Sequence, residues 1–310
     1  MKSFCETSST GFESEQRLFY IYLPRMLTTL LYQSPWKLRN ILRKLLPRYV
    51  ALHVSGFNFR MCVDMKDEGV SSHIYFNGIY ENAITEIFFS YLKTGMSVLD
   101  VGANIGYFSL IASEIVGESG HVFSFEPNPR NFLLLKHNIN INGFRNVSIE
   151  QKAVWNEDSQ IRLYLDPEAD SQNIASGGHS IVATGKKRKF VKVESIQLDS
   201  FLKNDVVVDF IKMDIEGAEA VALNGMDRIL KKNENVVLVT EILPYALKAA
   251  GTPAETYFKQ LADLGFKLHI IEKGLESADI KTLNAFVEEL ENDQNRQYPH
   301  FNLLCKRSTI

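Results

Sequence analysis

Apolar residues along this chain recur in two rhythms, and the alternation between the two outlines an α/β protein. Short segments at 97–101, 121–125, 147–154, 206–213 and 236–240 have the length of strands in a parallel sheet, and the first is a short apolar run. Between them, apolar residues fall three and four positions apart, the spacing of a helix face. Ile84, Ile87, Phe88 and Leu92 mark a helix over 81–92, and Ile105, Phe108, Ile111 and Ile115 mark another. Asn128-Pro129 is a start signal and Gly143 a stop for a third helix, and 217–231 is a fourth, broken at Asn224-Gly225. Thr252-Pro253-Ala254-Glu255 predicts a capping box, and Ile280, Leu283, Phe286, Val287 and Leu290 line a late acidic helix. Alternating runs at 161–165 and 190–196 and further runs at 266–271 and 301–305 complete the strands. This order predicts a doubly wound, mostly parallel sheet of seven strands with helices on both faces.

The first 80 residues follow another pattern and are predicted as a helical and hairpin extension to a domain spanning 81–310. Residues 1–15 are polar and read as a frayed terminus. Two helical stretches lie within 16–47, broken near Pro24 and Ser34-Pro35, and a hairpin pairs 50–54 with 57–61 around Ser55-Gly56. The second helix carries Leu38, Ile41, Leu42 and Leu45 on one face, with Lys37, Arg39, Arg43 and Lys44 over much of the rest. Such a helix with a Trp at its start could make weak peripheral contact with a membrane through 36–46. Docking on the main domain with the cations in water is the preferred expectation, since one short basic helix binds membranes weakly by itself.

Composition narrows the picture. With 310 residues, 45% hydrophobic and 23% charged, the chain has a globular profile and room for one large domain and an appendage. A net charge of −3 gives no general attraction to nucleic acid. Cys5, Cys62 and Cys305 are far apart and form no C-x-x-C, which predicts neither zinc nor a disulfide framework and fits a reducing compartment. No signal peptide and no membrane-spanning run is evident, so a cytoplasmic location is expected.

Candidate chemistry concentrates in 97–109, S-V-L-D-V-G-A-N-I-G-Y-F-S, which reads as strand, glycine turn and helix. The turn brings backbone close to a ligand at a helix N-terminus. Gly102 and Gly106 lack the third glycine of a dinucleotide fingerprint, and Asp100 stands before the first. An acid there suits an amine-bearing ligand such as S-adenosylmethionine better than a diphosphate. Glu126 ends the next strand at the separation expected of an acid that holds ribose hydroxyls. Asp100, Glu126, Asp214 and Glu241 are all read as strand-final acids at one sheet edge. An NAD-linked oxidoreductase and a non-catalytic binding protein retaining the fold are the competing readings.

The segments D-V-G-A-N-I-G-Y-F-S, F-E-P-N-P with N-I-N-I-N after it, and I-K-M-D-I-E-G-A-E at 211–219 resemble the FkbM family of S-adenosylmethionine-dependent methyltransferases over about 81–305. The resemblance implies a class I, Rossmann-like methyltransferase fold and O-methylation of a hydroxyl on a saccharide, glycolipid or polyketide-like acceptor. It implies a cofactor site from Glu81, Asp100, Gly102, Asn104, Gly106, Glu126, Asn128 and Ala153. Asp214 is expected to orient the acceptor or act as base, with Glu241 and His179 as competing bases. His179 lies in a long connection, 166–189, that also holds Ser171 and the cations at 186–189; it reads as a lid or a disordered segment, its cations as a solvated hairpin tip. Nucleic acid is disfavoured as acceptor, because the turn is Asp214-Ile215-Glu216-Gly217 rather than D/N-P-P-aromatic and no Pro-Cys occurs. A divalent metal is not expected, although Asp214, Glu216 and Glu241 could offer it oxygen ligands.

Overall fold

A computed structural model describes residues 20–165, 189–293 and 299–307. The chain opens with β1 (Ile21–Tyr22), α1 (Arg25–Gln33), α2 (Trp36–Leu45), β2 (Tyr49–His53), β3 (Arg60–Asp64) and α3 (Val70–Asn77). The three strands form their own sheet, with β1 parallel and β3 antiparallel to β2. The expected hairpin is present, but its second strand starts at Arg60 and not at 57. Phe57 and Phe59 turn inward as a packed aromatic pair and are buried in the connection.

The main body continues with α4 (Asn82–Tyr91), β4 (Ser97–Val101), α5 (Tyr107–Val116), β5 (His121–Phe125), α6 (Pro129–Asn142) and β6 (Val147–Glu150). Next come β7 (Ala153–Val154), β8 (Ser159–Tyr164), β9 (Phe190–Ile196), α7 (Leu198–Phe201) and β10 (Phe210–Met213). The last third holds α8 (Glu219–Asn224), α9 (Asp227–Lys232), β11 (Val237–Ile242), α10 (Pro244–Ala249) and α11 (Ala254–Asp263). It ends with β12 (Lys267–Ile270), β13 (Glu276–Ala278), α12 (Ile280–Asn292) and β14 (Phe301–Lys306).

The central sheet is α/β and mostly parallel, in the order β13-β12-β14-β11-β10-β4-β5-β6. It contains the seven expected strands and an eighth, the short edge strand β13. The expected single strand over 147–154 is divided. β6 pairs with β5, whereas β7 leaves the central sheet and joins β9 and β8 in a small separate one. From β4 the chain winds outward through β5 and β6, then returns to place β10 on the other side of β4 and continues to β11. The gap between β4 and β10 is therefore the switch point of the sheet, where doubly wound folds bind ligands.

Two expectations about the helices are corrected. The capping box at Thr252 does not form: α11 starts one residue later, with Pro253 at its cap and no side-chain cap bond, while Glu255 pairs with Lys259 at 2.6 Å. The helix at 36–46 docks only in part. Leu42 and Leu46 pack on the core and the Arg43 guanidinium donates to the Met65 and Asp67 carbonyls at 2.7 and 3.3 Å. Trp36, Leu38, Ile41 and Leu45 stay exposed.

Candidate active site

Strand register explains why the acids meet. Val101 on β4 pairs with Phe125 on β5 and with Met213 on β10, and Met213 pairs with Thr240 on β11. The next residue on each strand, Gly102, Glu126, Asp214 and Glu241, therefore lies in one row across the sheet. Neighbouring strands are about 4.8 Å apart, so side chains on one side of such a row converge. All four residues line a cleft enclosing about 740 Å³, open solvent included, together with Tyr80, Asn104, Ala153, Ile215 and Glu216.

Glu126 is held on both oxygens by the backbone. Asn104 N–H, from the turn after β4, donates to Oε2 at 2.8 Å, and Asn128 N–H donates to Oε1 at 2.8 Å. A carboxylate offers about four lone-pair positions, so each oxygen keeps capacity for a hydroxyl in the cleft. Burial pushes the Glu126 pKa up to about 7, against the lowering effect of those two N–H groups. The side chain faces the cleft and not bulk water, with 6% of its surface exposed.

The glycines act differently from the simplest expectation. A Cβ on Gly102 would stand 1.9 Å from the Asp214 carbonyl oxygen, and one on Gly106 would stand 2.7 Å from a Leu135 methyl. Both glycines have positive φ, so each permits a turn and the close passage of a neighbouring protein segment. Gly102 lines the cleft and Gly106 does not. Three of the non-glycine residues with positive φ, Glu81, Asn104 and Glu216, also stand around the site. Such strain is held in place where the surrounding structure needs that geometry.

Asp214 and Glu241 form a hydrogen-bonded acid pair. Low-dielectric surroundings work to raise the Asp214 pKa, but the Lys212 ammonium, 3.0 Å from Oδ2, outweighs them and holds the group below its usual value. Glu241 goes the other way: burial, then the Asp214 and Glu216 charges, raise its pKa far above the usual range. Of the pair, Glu241 is therefore the one that favours the protonated form, and its carboxyl O–H donates a hydrogen bond to Asp214. Lys212 is buried, packs 4.9 Å from the Phe108 ring centroid and stays protonated, since the acids around it outweigh the cost of its burial. Asp214 keeps 26% of its side-chain surface accessible, so a ligand in the cleft can reach it.

The remaining expected residues divide into those that line the cleft and those that do not. Ala153 lines it. Asp100 is not strand-final: β4 runs on to Val101, and Asp100 is buried one row back, opposite Lys212 and accepting from Ser109 Oγ at 2.5 Å. Glu241 likewise lies within β11, because that strand continues its pairing with β14. The Asn128 side chain caps α6, accepting from the Arg130 and Asn131 N–H groups. Glu81 stands at the start of α4 beside the Tyr80 that lines the cleft. Burial lifts its pKa to about 7, and its Oε2 is buried without a hydrogen-bond partner. His179, Ser171 and the cations at 186–188 lie outside the described residues.

Sequence reasoning passed over Lys212 and Glu219. Lys212 stands two residues before Asp214 on β10, and residues two apart on a strand share a face, so the pairing had a readable signal. Glu219 is fully buried, and its Oε1 accepts from the Ile215 and Gly217 N–H groups at 3.0 and 3.2 Å, which templates the turn that presents Asp214. Oxygens of Asp214, Glu216 and Glu241 come within 4.8 Å of one another. An all-oxygen set suits a hard divalent cation, but here Lys212 already compensates Asp214 and a proton compensates Glu241.

Comparison with known proteins gives the site a family context. The sequence model described as "Methyltransferase FkbM domain" matches residues 100–268. "Methyltransferase 1" of Beauveria bassiana is 26% identical over 145 residues, covering 42% of this chain and 58% of that protein. A protein-L-isoaspartate O-methyltransferase of Methanothrix thermoacetophila is 27% identical over 132 residues, covering 39% of this chain and 63% of its own length. The chain thus spans about three fifths of the curated relatives it matches. Among solved structures, methyltransferase FkbM from Methylobacillus flagellatus aligns at 13% identity over 75% of this chain and 52% of that one, with a TM-score of 0.37.

Proposed function

The chain belongs to the FkbM methyltransferase family, and from that premise we propose that it methylates a hydroxyl of a saccharide, glycolipid or polyketide-like acceptor. S-adenosylmethionine is the cofactor, and it supplies an electrophilic methyl on a sulfonium whose leaving group is a neutral thioether. The cleft fits it: Glu126 has capacity for two ribose hydroxyls, the Gly102–Asn104 turn passes beside them, and the buried, unpartnered Glu81 oxygen is suited to an ammonium.

The observation that carries the reading is the placement of Asp214, which lines the cleft with part of its side chain accessible and has the buried Lys212 ammonium 3.0 Å from Oδ2. Ionised Asp214 accepts a hydrogen bond from the acceptor hydroxyl and fixes its direction. As the new C–O bond forms, the hydroxyl becomes strongly acidic, so even a carboxylate of low basicity can take its proton. Lys212 favours the ionised form of Asp214, and the hydrogen bond from Glu241 helps hold its carboxylate in place. Alignment of the reacting groups and exclusion of water supply the rest of the acceleration.

The test incubates the full chain with methyl-labelled S-adenosylmethionine and a panel of glycans, glycolipids and polyketides. Acceptor-dependent release of S-adenosylhomocysteine, with label that survives mild alkali as an ether, is the expected result. Label lost in alkali, as from a carboxyl methyl ester, or transferred to nitrogen would sink the hydroxyl reading.

A further inference from the structure

The N-terminal helices leave an unusual surface. On α2, Leu38, Ile41 and Leu45 share one stripe, and Leu45 is 77% exposed. Lys37 and Lys44 flank that stripe and are exposed too. On α1, Met26, Leu27 and Leu30 form a second exposed stripe, while Thr28 and Leu31 face the core. These side chains are not loosely attached. Arg43 anchors α2 by its bonds to the Met65 and Asp67 carbonyls, and the Tyr75 hydroxyl donates to the Arg39 carbonyl at 3.1 Å. The fold therefore fixes the helix while turning its apolar stripe outward.

We infer that this face is a docking surface for an anionic lipid bilayer. Charge complementarity selects the occupant. From Arg25 to Arg48 the chain contains Lys37, Arg39, Arg43 and Lys44 as well, and no Asp or Glu, although the protein as a whole carries a net charge of −3. Among the described residues no carboxylate lies within ion-pair distance of Arg25, Lys37 or Lys44. An apolar stripe beside cations, with Trp36 58% exposed at the helix start, has the composition of an interfacial helix. The apolar side chains enter the acyl boundary and the lysines meet the headgroup phosphates. The inference stands on this surface alone and does not depend on the proposed reaction.

The test sediments the full chain with vesicles of phosphatidylcholine alone or mixed with phosphatidylglycerol, at physiological salt. Pelleting with the mixed vesicles only is the expected result. Lys37→Glu with Lys44→Glu lowers it by about tenfold or more, and Ile41→Asp with Leu45→Asp abolishes it. All four positions are exposed, so an unchanged thermal midpoint separates lost docking from lost folding. No pelleting with either vesicle, equal pelleting with both, or pelleting that survives the substitutions overturns the inference. A dimer dissolved by Ile41→Asp with Leu45→Asp, without vesicle binding, overturns it in favour of a second copy of the chain.

Discussion

Asp214 and Glu241 stand level on neighbouring strands, yet the Lys212 ammonium 3.0 Å from Asp214 lowers its pKa while burial and the Asp214 charge raise that of Glu241. In the proposed reaction, Asp214→Asn removes the charge that orients the hydroxyl and receives its proton. Turnover is expected to fall by about 10²–10⁴-fold, with cofactor affinity changed only a few fold, as read by product formation and by calorimetry with S-adenosylhomocysteine. Glu126 gives a second expectation. Its pKa in the free protein is about 7, and ribose hydroxyls are better held by the carboxylate. Below that value a bound proton must first be released, so affinity weakens as pH falls, by up to about tenfold per pH unit, and levels off above it. Glu81 titrates near the same value, so Glu126→Gln leaves a shallower slope at lower overall affinity. A pH-independent affinity between pH 5.5 and 8 would remove both groups from the site. Glu126 and Asp214 were legible in the sequence because a strand with a known end fixes where its next side chain goes. Lys212 left a signal in its two-residue spacing from Asp214, but a lysine inside an apolar run reads as an edge or surface residue until the neighbouring acids are placed.

At the scale of elements, the site depends on how closely two strand-end turns pass. The turn after β4 can cross the one after β10 only because Gly102 has no side chain, with the Asp214 carbonyl 1.9 Å from where a Cβ would stand. Gly102→Ala combines backbone strain with overpacking and is expected to cost about 2–4 kcal/mol. Gly143 has a similar φ with open space around it, so Gly143→Ala is expected to cost only about 1 kcal/mol. Urea denaturation of both variants checks the contrast, and equal losses would mean that the crossing is not tight. The order of strands and helices was legible from periodicity. Where elements divide was harder to read: β6 and β7 read as one strand in sequence, yet β7 pairs with β9 in a different sheet. Thr252 has the composition of a cap, but its N–H bonds back to the Leu247 carbonyl, which ties it to the end of α10.

For the whole molecule, the question is whether residues before 80 are an appendage or part of one folding unit. Their sheet is joined to α6 by buried polar side chains that no local pattern announces. Asn138, fully buried, accepts from Cys62 N–H at 2.7 Å and donates to the Ile105 carbonyl at 2.8 Å, and Arg130 pairs with Asp64. Such contacts span tens of residues in sequence, which is why the extension's shape was legible but its integration was not. Val50, Leu52, Phe59, Met61, Val63, Ile74 and Tyr75 are buried in the same core cluster as Ile105, Phe108 and Leu135. At about 1.5–3 kcal/mol each, their burial amounts to roughly 10–20 kcal/mol, as large as the roughly 5–15 kcal/mol of net stability typical of a folded protein. A chain starting at residue 81 is therefore expected to lack a cooperative melting transition. The intact protein offers an internal check, because its two tryptophans fall in different parts: Trp36 in α2 and Trp155 just after β7. Trp36→Phe leaves Trp155 to report on the main body, and Trp155→Phe leaves Trp36 to report on the extension. Each variant is followed in urea by fluorescence and, as a measure of its own global stability, by circular dichroism. If the two parts share one core, fluorescence and dichroism midpoints coincide within each variant, whereas a Trp36 signal lost well before the dichroism would make the extension a separately melting unit.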